Sequence, residues 1–206
     1  MLHSQNKSVS APVEREVERL VFDAYRRAEA MGLVEPDADA RGDLKAVRHM
    51  AQHVRKAGIA AAAATALSNV EVPTAQELKA LLRTMIAALE ASPAPRYEWA
   101  GLARVLDDEG LAVLLGVSVS SLKRYQSGER VTPDQIAARL HFLALVVGDL
   151  AGSYNDIGIR RWFHRKRTLL GGRAPAQYLS GDWDPDEAGP VRVRQLAREL
   201  VSLSAT

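Results

Sequence analysis

The stretch Leu111–Arg130, LAVLLGVSVSSLKRYQSGER, decides how this chain is read. Leu111, Leu114 and Leu115 recur at the spacing of one helix face, and Gly116 supplies the backbone freedom for a sharp turn after them. Val117 plugs the corner. Ser118 and Ser120 are candidate caps for a second helix, whose inward positions are Leu122 and Tyr125. Ser120, Ser121, Lys123, Arg124 and Ser127 are left facing outward, with Arg130 closing the stretch. Two short helices across a tight turn make a helix-turn-helix. An outward face of hydroxyls and cations suits base edges and phosphates, so these six residues are the candidate DNA contacts. A tight helical corner inside a core would not need that polar face.

Outward from this stretch, apolar residues keep the helical spacing and almost never alternate, which predicts an all-α fold. A first long helix is expected from about Pro12 to Met31, with Val13, Val17, Leu20, Ala24, Ala28 and Met31 as its stripe and Ser10 as a cap. Gly32 and Pro36 end it. A second begins near Asp39 or Ala40 and turns Leu44, Val47, Ala51 and Val54 inward, up to Gly58. Thr74 followed by Glu77 is a capping box for a third, which carries Leu78, Leu81, Leu82, Met85, Ile86 and Leu89. Ser92-Pro93-Ala94-Pro95 opposes helix continuation and reads as a linker. Thr132-Pro133-Asp134 predicts another helix start, with the Thr132 hydroxyl as cap and Ile136, Leu140, Leu143 and Val147 inward. A last helix is expected after Gly189, with Val193, Leu196, Ala197 and Leu200 buried. The division is thus 1–95, 96–152 and 153–206: a helical front, a helix-turn-helix domain and a small C-terminal domain.

The composition excludes several classes. With no cysteine among 206 residues, disulfides and thiolate metal sites are out, and a reducing, cytoplasmic setting is expected. The polar opening does not read as a signal peptide, and no apolar run approaches the roughly 18 residues of a membrane span. The net charge of +2 identifies no partner, but its distribution is informative. Arg160, Arg161, Arg165, Lys166, Arg167 and Arg173 cluster without an acid between Ile157 and Gly181, and DWDPDE (182–187) then reverses the sign. Such a cluster is a candidate phosphate contact, and equally a solvated face.

Ala112, Gly116, Val117, Leu122 and the ending Tyr-Gln-Ser-Gly-Glu (125–129) resemble the Xre/Cro family of helix-turn-helix domains, over roughly residues 97–151. The C-terminal part has a resemblance of its own. Ile159 to Trp162, Leu169-Leu170-Gly171-Gly172-Arg173-Ala174-Pro175, Tyr178-Leu179 and the final helix are similar to the toxin-binding domain of Xre/MbcA/ParS-type antitoxins. The resemblance implies a homodimeric repressor of a double-stranded DNA operator. It also implies an antitoxin that neutralises a RES-domain toxin and represses its own operon. Trp162, Arg173, Tyr178, Arg194 and Arg198 are the toxin-binding residues it implies. The helical front and the acidic loop 182–187 depart from the family pattern, so two alternatives stand: a stand-alone or phage-type regulator without a toxin, and a helical protein-interaction adaptor.

His49 and His53 share a helix face, yet Met50 stands where a metalloprotease has glutamate and no third ligand is evident. Asp182, Asp184 and Asp186 start like a calcium loop but meet Glu187 and Val193 where glycine and glutamate are needed. Trp162 and Phe163 among arginines could stack on nucleotides or anchor the C-terminal core. No phosphate-binding, nucleophile-elbow or dinucleotide motif is present, so neither an enzyme nor a cofactor is expected.

Overall fold

The helical spacing is realised as helix along the described chain, with no β-strand among the described residues. The structure, a computed structural model, describes residues 7–36, 44–69 and 71–204, with side chains for 14–36, 44–69 and 71–200. In order the α-helices are α1 (Lys7–Ala30), α2 (Leu44–Lys56), α3 (Ala61–Asn69), α4 (Ala75–Ala91), α5 (Pro95–Val105), α6 (Asp108–Leu115), α7 (Val119–Gln126), α8 (Asp134–Leu150), α9 (Asp156–His164) and α10 (Ala188–Ser204). None of the described helices is long and apolar enough to cross a membrane. The chain divides into two compact units, Met1–Ala28 with Val34–Ser92, and Glu29–Leu33 with Pro93–Thr206.

In the first unit α3 packs between α2 and α4. Its core comprises Val21, Ala24 and Ala28 from α1, Val47, Met50 and Val54 from α2, Ala64 and Leu67 from α3, and Leu82, Met85 and Leu89 from α4. Leu78, Leu81 and Ile86 are half-exposed, so the buried stripe of α4 is narrower than its apolar sequence. Two features differ from expectation. α1 begins at Lys7, so Ser10 and Pro12 lie within the helix instead of starting it. The alanine run after Ile59, for which no helix was expected, forms α3, as suits the residue of highest intrinsic helix propensity. The expected start of the second helix at Asp39 or Ala40 lies outside the described residues, and Val13 outside the described side chains.

α4 starts as its sequence requires. The Glu77 N–H donates to Thr74 Oγ1 at 3.3 Å, and the Thr74 N–H and hydroxyl donate to the Glu77 carboxylate at 2.9 and 2.7 Å. The Thr74 side-chain bond comes first among the causes holding the Glu77 pKa below its ordinary value, followed by the Thr74 backbone bond. Thr74→Ala is expected to destabilise the first unit by about 1 kcal/mol at neutral pH, the usual loss for an N-cap. A lowered carboxylate pKa contributes stability that is present above the unfolded value, about 4.3, and lost as pH falls through the folded one. The gap between wild type and variant in urea midpoints should therefore narrow below pH ~4. An equal gap across that range counts against the capping account.

The second unit is built around α8. Every residue from Arg139 to Leu150 is buried, because α5, α6 and α10 pack against this one helix. A helix buried all round reads as apolar on every side, which a search for a single stripe underestimates. α5 approaches the segment Glu29–Leu33, the end of α1 and the turn after it, backbone to backbone: a Cβ on Gly101 would lie 2.4 Å from the Ala30 carbonyl oxygen. The expected cap at the start of α8 is corrected. α8 begins at Asp134 after Pro133 with no side-chain cap, because the Thr132 hydroxyl instead accepts a bond from the Trp99 indole N–H at 3.0 Å. Residues 96–152 and 153–206, separate in the sequence reading, fall in this one unit.

Candidate nucleic-acid interface

α6 starts at an aspartate cap, the Gly110 N–H donating to Asp107 Oδ1 at 2.7 Å. It ends at Gly116 with φ 69° and ψ 33°, the left-handed conformation that costs a side chain and suits glycine. Two residues later Ser118 caps α7, its hydroxyl oxygen accepting from the Ser121 N–H at 3.1 Å. Leu111, Leu114 and Leu115 of α6 and Leu122 and Tyr125 of α7 are buried, as their spacing requires. Trp99 of α5 fixes the far end of α7 by stacking on Tyr125, rings 6.0 Å apart and 16° from parallel.

The six candidate contacts do not have equal freedom. Ser120, Lys123 and Arg124 are exposed on the outer face of α7. Ser121 is half-buried and its hydroxyl accepts from Ser118 Oγ at 3.0 Å, so it belongs to the cap. Ser127 is exposed, but its hydroxyl donates to the Arg124 carbonyl at 3.2 Å and accepts from the Glu129 N–H at 3.4 Å, which ties the loop together. Arg124 lies 3.7 Å from the Glu129 carboxylate in a largely solvated pair, too weak to hold it from a phosphate. Arg130 stands over the Tyr125 ring at 5.5 Å and remains exposed.

Behind this face lies a polar centre that sequence reasoning missed. Arg139, 3% exposed, donates from Nε to the Trp183 carbonyl at 2.6 Å. Its Nη1 donates to the carbonyls of Leu115 at 3.2 Å and Gly181 at 3.3 Å, and its Nη2 pairs with Asp182. The Trp183 indole N–H returns to the Leu114 carbonyl at 2.8 Å, and its ring meets Phe142 edge-on. The loop before α10 is thereby fastened to the end of α6. A second buried pair joins α5 to α8, with His141 Nδ1 2.6 Å from Glu98 Oε1. Charged residues inside an otherwise apolar helix and a tryptophan inside an acidic loop were the available signals.

The residues implied as toxin-binding are dispersed. Trp162 is 1% exposed, packed edge-on against Phe163, so it belongs to the core and not to a contact surface. The resemblance marks it as a partner contact; its burial corrects that. Arg194 and Arg198 turn toward Asp149, buried on α8, with Nε at 4.0 and 3.6 Å. Arg173 is exposed and Tyr178 half-buried, its hydroxyl donating to the Leu170 carbonyl at 3.0 Å. The His49 and His53 rings lie 4.6 Å apart, and no group of three or more His, Cys, Asp or Glu able to hold a metal occurs among the described residues. In the acidic loop, Asp182 pairs with Arg139 and Asp184 accepts from the Asp186 N–H at 2.9 Å.

Neither family models, nor curated proteins, nor solved structures give a match to this chain.

Proposed function

We propose that this protein binds double-stranded DNA through α7 and acts as a transcriptional regulator. The observation that carries the reading is the two-sidedness of α7. Leu122 and Tyr125 are buried against a capped, glycine-turned α6, while Ser120, Lys123 and Arg124 stand exposed on the other side. Hydroxyls on a helix of this kind can reach base edges, and cations can neutralise phosphates. Regulators of this type commonly read two half-sites about one helical turn apart, so a homodimer is the working form.

The test is an anisotropy titration with a labelled duplex carrying the sequence upstream of the protein's own gene. Lys123→Ala/Arg124→Ala should abolish binding and leave the far-ultraviolet circular dichroism unchanged. Either single change should make the dependence of log K on log salt shallower by about 0.9 for each phosphate no longer neutralised. Unaltered affinity in the double variant ends this assignment.

The antitoxin role is proposed on the sequence resemblance of residues 153–206. The internal engagement of Trp162, Arg194 and Arg198 favours the narrower reading, a regulator without a toxin. Co-expression separates the two. If a neighbouring gene is toxic, and toxic only when residues 191–206 are removed, the antitoxin role stands; a harmless neighbour leaves the regulator alone.

A further inference from the structure

We propose that the arginine-bearing loop between α9 and α10, residues 165–173, is a second contact to the DNA backbone, alongside α7. The inference rests on the DNA-binding reading above and extends it to a surface outside the helix-turn-helix.

The loop is held in shape. Arg167 and Arg173 form an antiparallel bridge, the Arg167 N–H donating to the Arg173 carbonyl and the Gly172 N–H to the Arg167 carbonyl, both at 3.0 Å. Leu170 is buried beneath the loop, while Leu169 is 73% exposed at its crown. Two cations of the cluster are engaged within the fold: Arg160 donates to the Val105 carbonyl at 2.7 Å, and Arg167 lies over the Trp162 ring at 5.5 Å. Arg165, Lys166 and Arg173 are different. All three are exposed, and none forms an ion pair with a carboxylate among the described residues. Arg173 does face the Tyr178 ring at 5.7 Å, an arrangement that leaves its charge unneutralised.

Three like charges on a pinned loop repel one another unless an anion lies across them, and a polyphosphate strand is such an anion. The apolar crown fits the same ligand, because leucine side chains are accommodated in DNA grooves. Proximity to the helix-turn-helix favours DNA as the anion, because the helix that leads into the loop ends beside α6. α9 ends against the start of α6, where Arg160, Phe163 and His164 line a small cavity with Leu106, Asp107 and Gly110. The end of α7 reaches that same helix start, Gln126 Nε2 lying 3.4 Å from Asp108 Oδ1. At that helix start Asp107 caps α6 and Asp108 accepts from Gln126, while Glu109 stands exposed beside them. Loop stem and α7 therefore flank one helix start.

The experiment titrates the full-length protein with a labelled mixed-sequence duplex three helical turns long, since phosphate contacts are indifferent to sequence. Arg165→Gln/Lys166→Gln/Arg173→Gln should weaken binding roughly tenfold or more in about 0.1 M salt and make the salt slope shallower by about 2 to 3. Lys166→Gln alone, at a side chain with no hydrogen bond or ion pair among the described residues, should lower the slope by about 0.9 and guards against misfolding of the triple variant. Slopes equal to wild type in both variants overturn the loop contact, and do so without touching the α7 reading if Lys123→Ala/Arg124→Ala still abolishes binding. A wild-type protein that fails to bind the duplex at low salt overturns both. Should the triple variant keep the DNA slope but fail to bind polyglutamate that wild type binds, the loop serves an acidic protein partner and the proposal falls.

Discussion

Gly116→Ala should cost the second unit about 3 kcal/mol or more, the sum of two independent penalties. A side chain in the left-handed conformation of φ 69° carries roughly 1–2 kcal/mol of strain. The new Cβ would also fall 2.2 Å from the Gly181 carbonyl oxygen, an approach that backbone must move to relieve. Overpacking of that kind typically adds about 1–3 kcal/mol. The measurement is urea unfolding followed by tryptophan fluorescence, which reports on this unit because Trp99, Trp162 and Trp183 all belong to it. Gly128→Ala is the internal comparison: φ is similar at 73°, but nothing lies within 4 Å of the added Cβ. It should cost only the backbone strain. Equal losses at the two glycines would show that the approach to Gly181 has no energetic weight.

The second large effect is expected at Arg139. Arg139→Met keeps most of the aliphatic stem and removes the guanidinium. The carbonyls of Leu115, Gly181 and Trp183 are then without a charged donor, while Asp182, 86% exposed in its side chain, returns to water. Leaving a buried acceptor unsatisfied costs about 1–3 kcal/mol, so a total near 3 kcal/mol is expected for this partly accessible set. Arg139→Lys should recover little, because a single ammonium cannot serve carbonyls that a planar fork reaches together. Trp183 emission should shift to longer wavelength in both variants as the loop loosens. A change below about 1 kcal/mol in Arg139→Met, with unshifted emission, would mean that the loop is held by the indole packing alone.

What the sequence discloses and what it withholds divide along the range of the interactions. The capping box at Thr74 and Glu77, the turn at Gly116 and the cap at Ser118 each involve partners within a few residues, and each is readable from spacing. Thr132 has the same local signature as a cap, yet its hydroxyl accepts from Trp99, 33 positions away. Arg139 looks like a solvated cation on a helix and Trp183 like a loop residue; their pairing across 44 positions has no local mark. Trp162 illustrates the same limit at the candidate site. A family pattern can place an aromatic residue in a motif without saying which side faces solvent. On α7 the outward residues follow from helical periodicity, although the local bonding of Ser121 and Ser127 does not.

The fastening of residues 181–183 has a kinetic side. The α6–turn–α7 hairpin closes over a handful of positions, whereas the Trp183 indole bond to Leu114 spans 69 and the Arg139 bond to Trp183 spans 44. Closing chain segments of that length takes conformational entropy that a short turn does not, so the helical hairpin is expected to form before the loop docks. Interactions made after the rate-limiting step act on unfolding more than on folding. Arg139→Met is therefore expected to shorten the lifetime of the folded second unit, and Gly116→Ala to slow its assembly, which stopped-flow unfolding and refolding rates would check.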